Sequence, residues 1–129
     1  MPFKPESKKT ALVPSGEGNH LFVILTDANN INMHLMVPVC TIRLNRYYDD
    51  TCLLKAEDNE HPFIKQDSYV DYKNIQERVT NHIVRCVAEK SYIEKESISS
   101  ALHKRICEGI GSSPHTKKWA KEHYKNWPK

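Results

Sequence analysis

The chain has 129 residues, of which 39% are hydrophobic and 27% are charged, and its formal net charge is +3. A chain of this length and composition fits one globular domain with a modest hydrophobic core. The N-terminal residues are polar, and the longest apolar stretch, residues 21–25, is too short to cross a bilayer. We therefore expect a cytoplasmic protein with no membrane partner.

The first 19 residues are predicted to form an extended lead-in, because they contain three prolines and two glycines but few apolar residues. Two strands are predicted after it, at residues 20–26 and 35–42, where β-branched, aromatic and other apolar side chains are concentrated. Pro38 removes one hydrogen-bond donor from the second of these strands. We therefore expect that strand at a sheet edge or at a bulge.

Shorter elements are predicted in the middle of the chain. Residues 51–54 and 68–72 are predicted strands, and residues 73–77 are a predicted turn. Residues 79–88 are ambiguous, because their apolar spacing matches a helix whereas their Val, Ile, Thr and Cys content favours a strand. We predict a strand there, since the segment is short and follows a run of strands.

One amphipathic helix is predicted at residues 98–108. Its apolar stripe recurs at i, i+4 and i+8 through Ile98, Leu102 and Ile106. Ser97 or Ser99 can cap its first turn, and Gly109 and Gly111 mark its end. The order of short strands followed by one late helix predicts a mainly β (α+β) fold. A small β-barrel of about five strands fits this order, because closure hides exposed strand edges.

The C-terminal residues 112–129 carry five lysines and one glutamate, a net charge of +4, so the basic character of the chain lies in this extension. Lysines alternate here with Trp119, Tyr124 and Trp127. The spacing fits a short amphipathic helix that docks on the domain or on nucleic acid. The simpler interpretation, which we favour, is that the extension packs its tryptophans on its own domain.

Three segments together resemble a known family. A strand reading HLFVILTD, a second reading VPVCTIR and a later segment DSYVDYKNIQ, followed by a helix, resemble the PemK/MazF-like toxins. The resemblance implies an SH3-like barrel at residues 20–111, metal-independent cleavage of single-stranded RNA, a homodimer and a paired antitoxin. The family's Arg-Pro pair is absent, and Gly18, Asn19 and His20 stand in its place. A non-catalytic module of the same fold, binding nucleic acid or a protein, is therefore the alternative.

RNA cleavage through the 2′-hydroxyl needs a base, an acid and a cation that stabilises the phosphorane. The candidate catalytic residues are His61, Arg43, Thr41, Ser68 and His20. His61 leads because it follows an acidic turn, and Arg43 is the best replacement for the absent family arginine. The alternatives are an ordinary turn histidine and a solvated arginine at the end of a strand.

The candidate nucleic-acid-binding residues combine aromatic and cationic side chains: Tyr69, Tyr72, Arg46, Lys117, Lys118 and Lys121. Exposed aromatic rings stack on unpaired bases, although the two tyrosines could equally pack in the core. The four cysteines contain no C-x-x-C pair, and we find no nucleotide-binding glycine loop or metalloprotease motif. No cofactor and no metal site are therefore expected.

Overall fold

The computed structural model describes residues 2–16 and 18–128, so Lys129, which was counted in the basic extension, lies outside the described residues. Within them, the chain forms seven strands, three α-helices and two short 3₁₀ turns. In chain order the strands and helices are β1 (Thr10–Ser15), β2 (Gly18–Ile24), β3 (Met33–Thr41), β4 (Leu53–Leu54), β5 (Ser68–Val70), β6 (Gln76–Val79), α1 (Thr80–Ala88), β7 (Ile93–Lys95), α2 (Ser100–Ser112) and α3 (Lys118–Lys125).

The strands form one antiparallel sheet with the order β4-β5-β3-β2-β1-β7, and β6 also pairs with β3. This confirms the mixed α+β class with a mainly antiparallel sheet. Among the described residues no pairing joins β4 to β7, so the sheet is not closed into a barrel. Strand β1 lies within the segment that we had assigned to the extended lead-in, and it pairs with β2 over its whole length.

Of the two alternatives predicted for the strand containing Pro38, an edge or a bulge, the edge is wrong, because β3 is central. It pairs with β2 on one side and with both β5 and β6 on the other. The partner β6 reaches only as far as Met36, and β5 begins at Val39. The carbonyl of Pro38 accepts a hydrogen bond from the Asp71 amide at this junction, at 2.9 Å. The backbone nitrogen of Pro38, which has no hydrogen to donate, therefore points to the gap between β5 and β6.

Both faces of the sheet are covered, which explains why β2 is apolar along most of its length. Successive side chains point to opposite faces, so Leu21 and Val23 belong to one core while Phe22 and Ile24 belong to another. Helices α2 and α3 pack against the first core, for example through Ile106 of α2 and Ala120 of α3. Helix α1, the segment after it and the N-terminal Phe3 supply the second.

The predicted strand at residues 79–88 is wrong, because residues 80–88 form α1. Ile83 is buried in the second core, and Cys86 and Val87 pack against that core at the i+3 and i+4 positions. The helical spacing of these side chains outweighs the strand preference of β-branched residues, since burial on the sheet rewards one helical face. A 3₁₀ turn at Tyr72–Asn74 covers the start of the predicted turn at residues 73–77, and β6 takes only its last two residues.

Helix α2 confirms the predicted late helix, but the predicted end at Gly109 and Gly111 is wrong, because the helix includes both and continues to residue 112. The Ser99 hydroxyl accepts a hydrogen bond from the Leu102 amide at 3.1 Å, so Ser99 is the cap. Gly109 lies inside the helix, where a side chain would collide with the ring of Tyr72. In the described part of the chain, none of the helices has the length and apolar character that crossing a membrane requires.

The C-terminal extension packs on the domain, as the simpler interpretation predicted. Ala120 of α3 and Trp127 after it are buried in the first core. The Trp127 indole N–H donates a hydrogen bond to the Asp27 carbonyl at 2.8 Å, which ties the end of the chain to the turn after β2. Trp119, by contrast, keeps 36% of its surface exposed.

Candidate nucleic-acid interface

A cleft of about 490 Å³ opens where β2 begins and β3 ends. Strand pairing aligns Leu21 with Val39 and Cys40 with Tyr69, so three strands contribute side chains to one site. The loop after β3 and Phe63 complete the walls. The lining residues are Gly18, Asn19, His20, Leu21, Val39, Cys40, Thr41, Arg43, Arg46, Tyr47, Tyr48, Phe63 and Tyr69. The cleft therefore brings together five of the predicted site residues: His20, Thr41, Arg43, Arg46 and Tyr69.

The charged side chains that line the cleft are cationic. Arg43 and Arg46 are both exposed, and neither forms a salt bridge with another described residue. Among the described lining residues there is no aspartate or glutamate. Two unpaired guanidinium groups on an open surface favour an anion, because each presents a planar fork of donors to phosphate or carboxylate oxygens.

Aromatic rings form a second part of the cleft. Tyr48 and Tyr69 lie with ring centroids 5.7 Å apart and planes inclined by 39°. Tyr47 is 80% exposed, and its hydroxyl lies 2.7 Å from Nε2 of His115, in the turn before α3. This contact holds an otherwise exposed ring at the mouth of the cleft. Rings held in this way offer flat surfaces on which unpaired bases can stack.

His20 is the histidine of the cleft. It lies on β2 opposite Val13 of β1, and its side chain is partly buried. Its Nδ1 atom is buried and has no hydrogen-bond partner among the described residues. A buried polar nitrogen without a partner is unfavourable, so a ligand group that bonded to this atom would recover that free energy.

Two further groups in the cleft keep their protons near neutral pH. Burial, and then the charge of Asp71, raise the pKa of the Cys40 thiol to about 11. Burial, and then Cys40, raise the pKa of the Tyr69 hydroxyl to about 12. Cys40 is therefore not a thiolate nucleophile, and Tyr69 can act only as a proton donor.

His61, the leading catalytic candidate, does not line the cleft. It is 2% exposed, and its Nδ1 accepts a hydrogen bond from the Phe63 amide at 3.0 Å. That bond leaves the proton on Nε2, which donates to the Glu96 carbonyl at 2.6 Å. Both ring nitrogens are thus used in holding the loop that precedes β5 against the segment after β7. This geometry fits the alternative of a structural histidine.

Two other predicted residues are occupied by structural contacts. Tyr72 is fully buried, and its hydroxyl donates to the Ile106 carbonyl at 2.7 Å, so it cannot stack on a base. The prediction that it binds nucleic acid is wrong for that reason. Ser68 is 5% exposed and donates to the Gln66 carbonyl at 2.9 Å. It lines a smaller hollow of about 210 Å³ beside the cleft, together with Thr41 and Phe63.

The three lysines predicted to bind nucleic acid lie outside the cleft. Lys117 precedes α3, Lys118 begins it, and Lys121 faces a groove between α2 and α3. The contact between His115 and Tyr47 links this extension to the cleft.

Residue-type reasoning missed Asn19 and Phe63 as parts of the site. Phe63 is 42% exposed. It directly follows His61 and Pro62 in the sequence, but it was not named as a candidate. The exposed loop Arg43 to Tyr48 carried a usable signal, since it places two arginines and two tyrosines within six residues.

The resemblance to the PemK/MazF-like toxins rests only on the three sequence segments quoted in the sequence analysis. No protein-family model matches the chain. No curated protein matches it either.

Proposed function

We propose that the chain binds single-stranded RNA in the cleft between β2, β3 and β5. The observation that carries this proposal is the combination of two unpaired arginines, Arg43 and Arg46, with the exposed or half-exposed rings of Tyr47, Tyr48 and Tyr69. Phosphates bind the guanidinium groups, and splayed bases stack on the rings. A duplex would keep its bases away from the rings, so a single strand fits better.

Hydroxyl and amide groups favour RNA over DNA in this cleft. Thr41 is exposed, and Asn19 is exposed beside it in the lining. Both can donate to or accept from a ribose 2′-hydroxyl, which is the group that distinguishes the two nucleic acids. A DNA strand of the same sequence should therefore bind more weakly than the RNA.

The test is fluorescence anisotropy with a labelled single-stranded RNA of about ten nucleotides, a length within the range that small single-strand sites cover. We expect Arg43→Ala and Arg46→Ala each to weaken binding about tenfold, since each removes a charge-assisted hydrogen bond to phosphate. Each should also flatten the dependence of log K on log salt by about 0.7, the single-strand value for one phosphate contact.

The matched control is Arg85→Ala, which removes the same charge from an exposed position on α1 that does not line the cleft. Equal losses in all three variants would show that only the net charge matters and would refute the assignment of the cleft. Binding that does not change with salt would refute the phosphate contacts.

RNA cleavage is the second candidate, and the unpartnered Nδ1 of His20 favours it. His20 would take the 2′-hydroxyl proton, Arg43 would stabilise the phosphorane, and the protonated Tyr69 hydroxyl would supply the leaving oxygen's proton. Incubation of RNA with the protein in EDTA should then yield 2′,3′-cyclic phosphate ends, and His20→Gln should abolish them. If His61→Gln lowers the rate per folded molecule as much as His20→Gln does, the assignment to His20 is wrong.

The family resemblance adds finer proposals to this function. We propose from this resemblance an SH3-like barrel and a PemK/MazF-like toxin role in a toxin-antitoxin or mobile-element system. The resemblance also proposes a homodimer, a paired antitoxin and a cytoplasmic location. The antiparallel sheet followed by a late helix is consistent with such a fold. Expression of the chain in cells, followed by inspection of RNA integrity, tests the toxin role: degraded RNA and arrested growth would support it, and intact RNA with normal growth would contradict it.

A further inference from the structure

A second opening, of about 680 Å³, lies between α2 and α3 and shares no lining residue with the cleft. We call it the α2–α3 groove. Its floor is mostly apolar, with Cys107 and Ile110 of α2 on one side and Tyr124 of α3 on the other. Burial raises the pKa of the Tyr124 hydroxyl to about 12, so this ring stays neutral.

Gly111 keeps the floor of the groove open. It lies on α2 in the lining, and a side chain at this position would meet no heavy atom within 4 Å. The surface of α2 is therefore accessible at this point, and a Cβ placed there meets no steric barrier.

The rim of the groove is positively charged. Lys104, Lys121 and Lys125 stand around it with Glu108 as the acidic lining residue. None of the three lysines forms a salt bridge with another of the described residues. An apolar floor within a lysine rim complements a ligand that has an apolar stripe flanked by carboxylates.

We propose that the α2–α3 groove binds an acidic amphipathic helix of a partner protein. A third helix laid along two packed helices buries its apolar stripe in the groove, and its flanking glutamates or aspartates meet the lysines. A second copy of this chain fits less well, since a two-fold contact would bring two lysine rims together. RNA alone would leave the apolar floor unused.

The test uses a labelled synthetic peptide of about 16 residues, with leucines at helical spacing and glutamates beside them. We expect saturable binding that Gly111→Trp weakens at least about tenfold, because the indole occupies the floor. The double charge reversal Lys104→Glu with Lys125→Glu should weaken binding about fivefold or more. Amide chemical shifts should change along α2 and α3 when the peptide is added.

The matched control is the pair Lys117→Glu with Lys118→Glu, which makes the same charge change outside the groove lining. It should alter the affinity less than about twofold. The proposal is overturned if the peptide does not bind at about 1 mM, or if a scrambled peptide of the same composition binds equally well. Displacement of the peptide by single-stranded RNA, or a concentration-dependent dimer that Gly111→Trp abolishes, would also overturn it. Arg43→Ala should not affect peptide binding, so this test stands apart from that of the cleft.

Discussion

At the scale of single residues, Gly109 leaves no room for a side chain, because a Cβ at this position would collide with the ring of Tyr72. The ring of Tyr72 lies against Gly109, and its hydroxyl bonds to the Ile106 carbonyl one turn earlier on α2. The tyrosine thereby fixes the distance between α2 and the sheet. Only a residue without a side chain allows this approach.

We expect Gly109→Ala to lower the free energy of unfolding by about 1–3 kcal/mol, because the added methyl group overpacks a buried ring. Gly111→Ala, two residues along the same helix, meets open space and should raise it by about 0.5–1 kcal/mol. Urea titration of the three proteins measures both changes. Equal effects at the two positions would contradict the role given to the Tyr72 ring.

The histidines show how far residue identity alone could predict the site. His61 and His20 were both reasonable candidates in the sequence, because His61 follows an acidic turn and His20 begins a predicted strand. The difference lies in long-range contacts: Glu96, which accepts from His61, is 35 positions away along the chain. Arg43, Arg46 and Tyr69 were each named from their residue types, and the pairing of β3 with β5 brings them to one cleft.

At the scale of elements, the start of α2 depends on one side chain. Ser99→Ala should lower the free energy of unfolding by about 1 kcal/mol, since the Leu102 amide loses its acceptor. Ser97, the other serine that the sequence offered as a cap, is exposed, and Ser97→Ala is the matched control. Thermal denaturation of both variants decides the matter, and a larger loss from Ser97→Ala would refute the cap.

The elements that the sequence predicted well are those whose pattern was reinforced by a local signal. Helix α2 has an apolar stripe and a serine cap, so its existence and its start could be read directly, whereas its end was misplaced because Gly109 and Gly111 lie inside the helix. Helix α1 has no side-chain cap, and its β-branched residues favoured a strand. Strand β1 was missed because the prolines and glycines within and around it dominated the composition, whereas its strand character comes from pairing with β2.

At the scale of the whole molecule, Asp49 joins the cleft loop to the turn before α3. It accepts from the Thr51 amide and hydroxyl, and its second oxygen accepts from the Ser113 hydroxyl at 2.5 Å. Burial raises the pKa of this carboxyl, but the bonds from Ser113 and Thr51 outweigh burial, and the net pKa lies below its ordinary value of 3.8. These bonds therefore favour the folded protein while Asp49 is charged.

Because the folded pKa is the lower one, the stabilisation is complete above about pH 5 and is lost as the pH falls through the folded pKa. We expect Asp49→Asn to be less stable than the parent near neutral pH and to approach it as the pH falls below about 4. Asp50→Asn, at the exposed neighbour, is the control. Urea titrations from pH 7 to about pH 3 measure the difference, and a gap that stays constant would contradict the linkage.

The overall class was predictable because short alternating strands followed by a helix admit few arrangements. The open sheet was not predictable. The strands β4 and β7, which end the strand order, have only two and three residues and carry little pattern of their own. How such short strands pair depends on side chains far away in the chain, which the local sequence does not specify.

The junction at Pro38 has a consequence for amide hydrogen exchange. Strands β5 and β6 pair with different parts of the same edge of β3, so the hydrogen-bond ladder along that edge is interrupted at Pro38. A fluctuation that detaches β5 need not detach β6. The amides of β5, which carries Tyr69 into the cleft, can therefore exchange with solvent deuterium independently of those of β6.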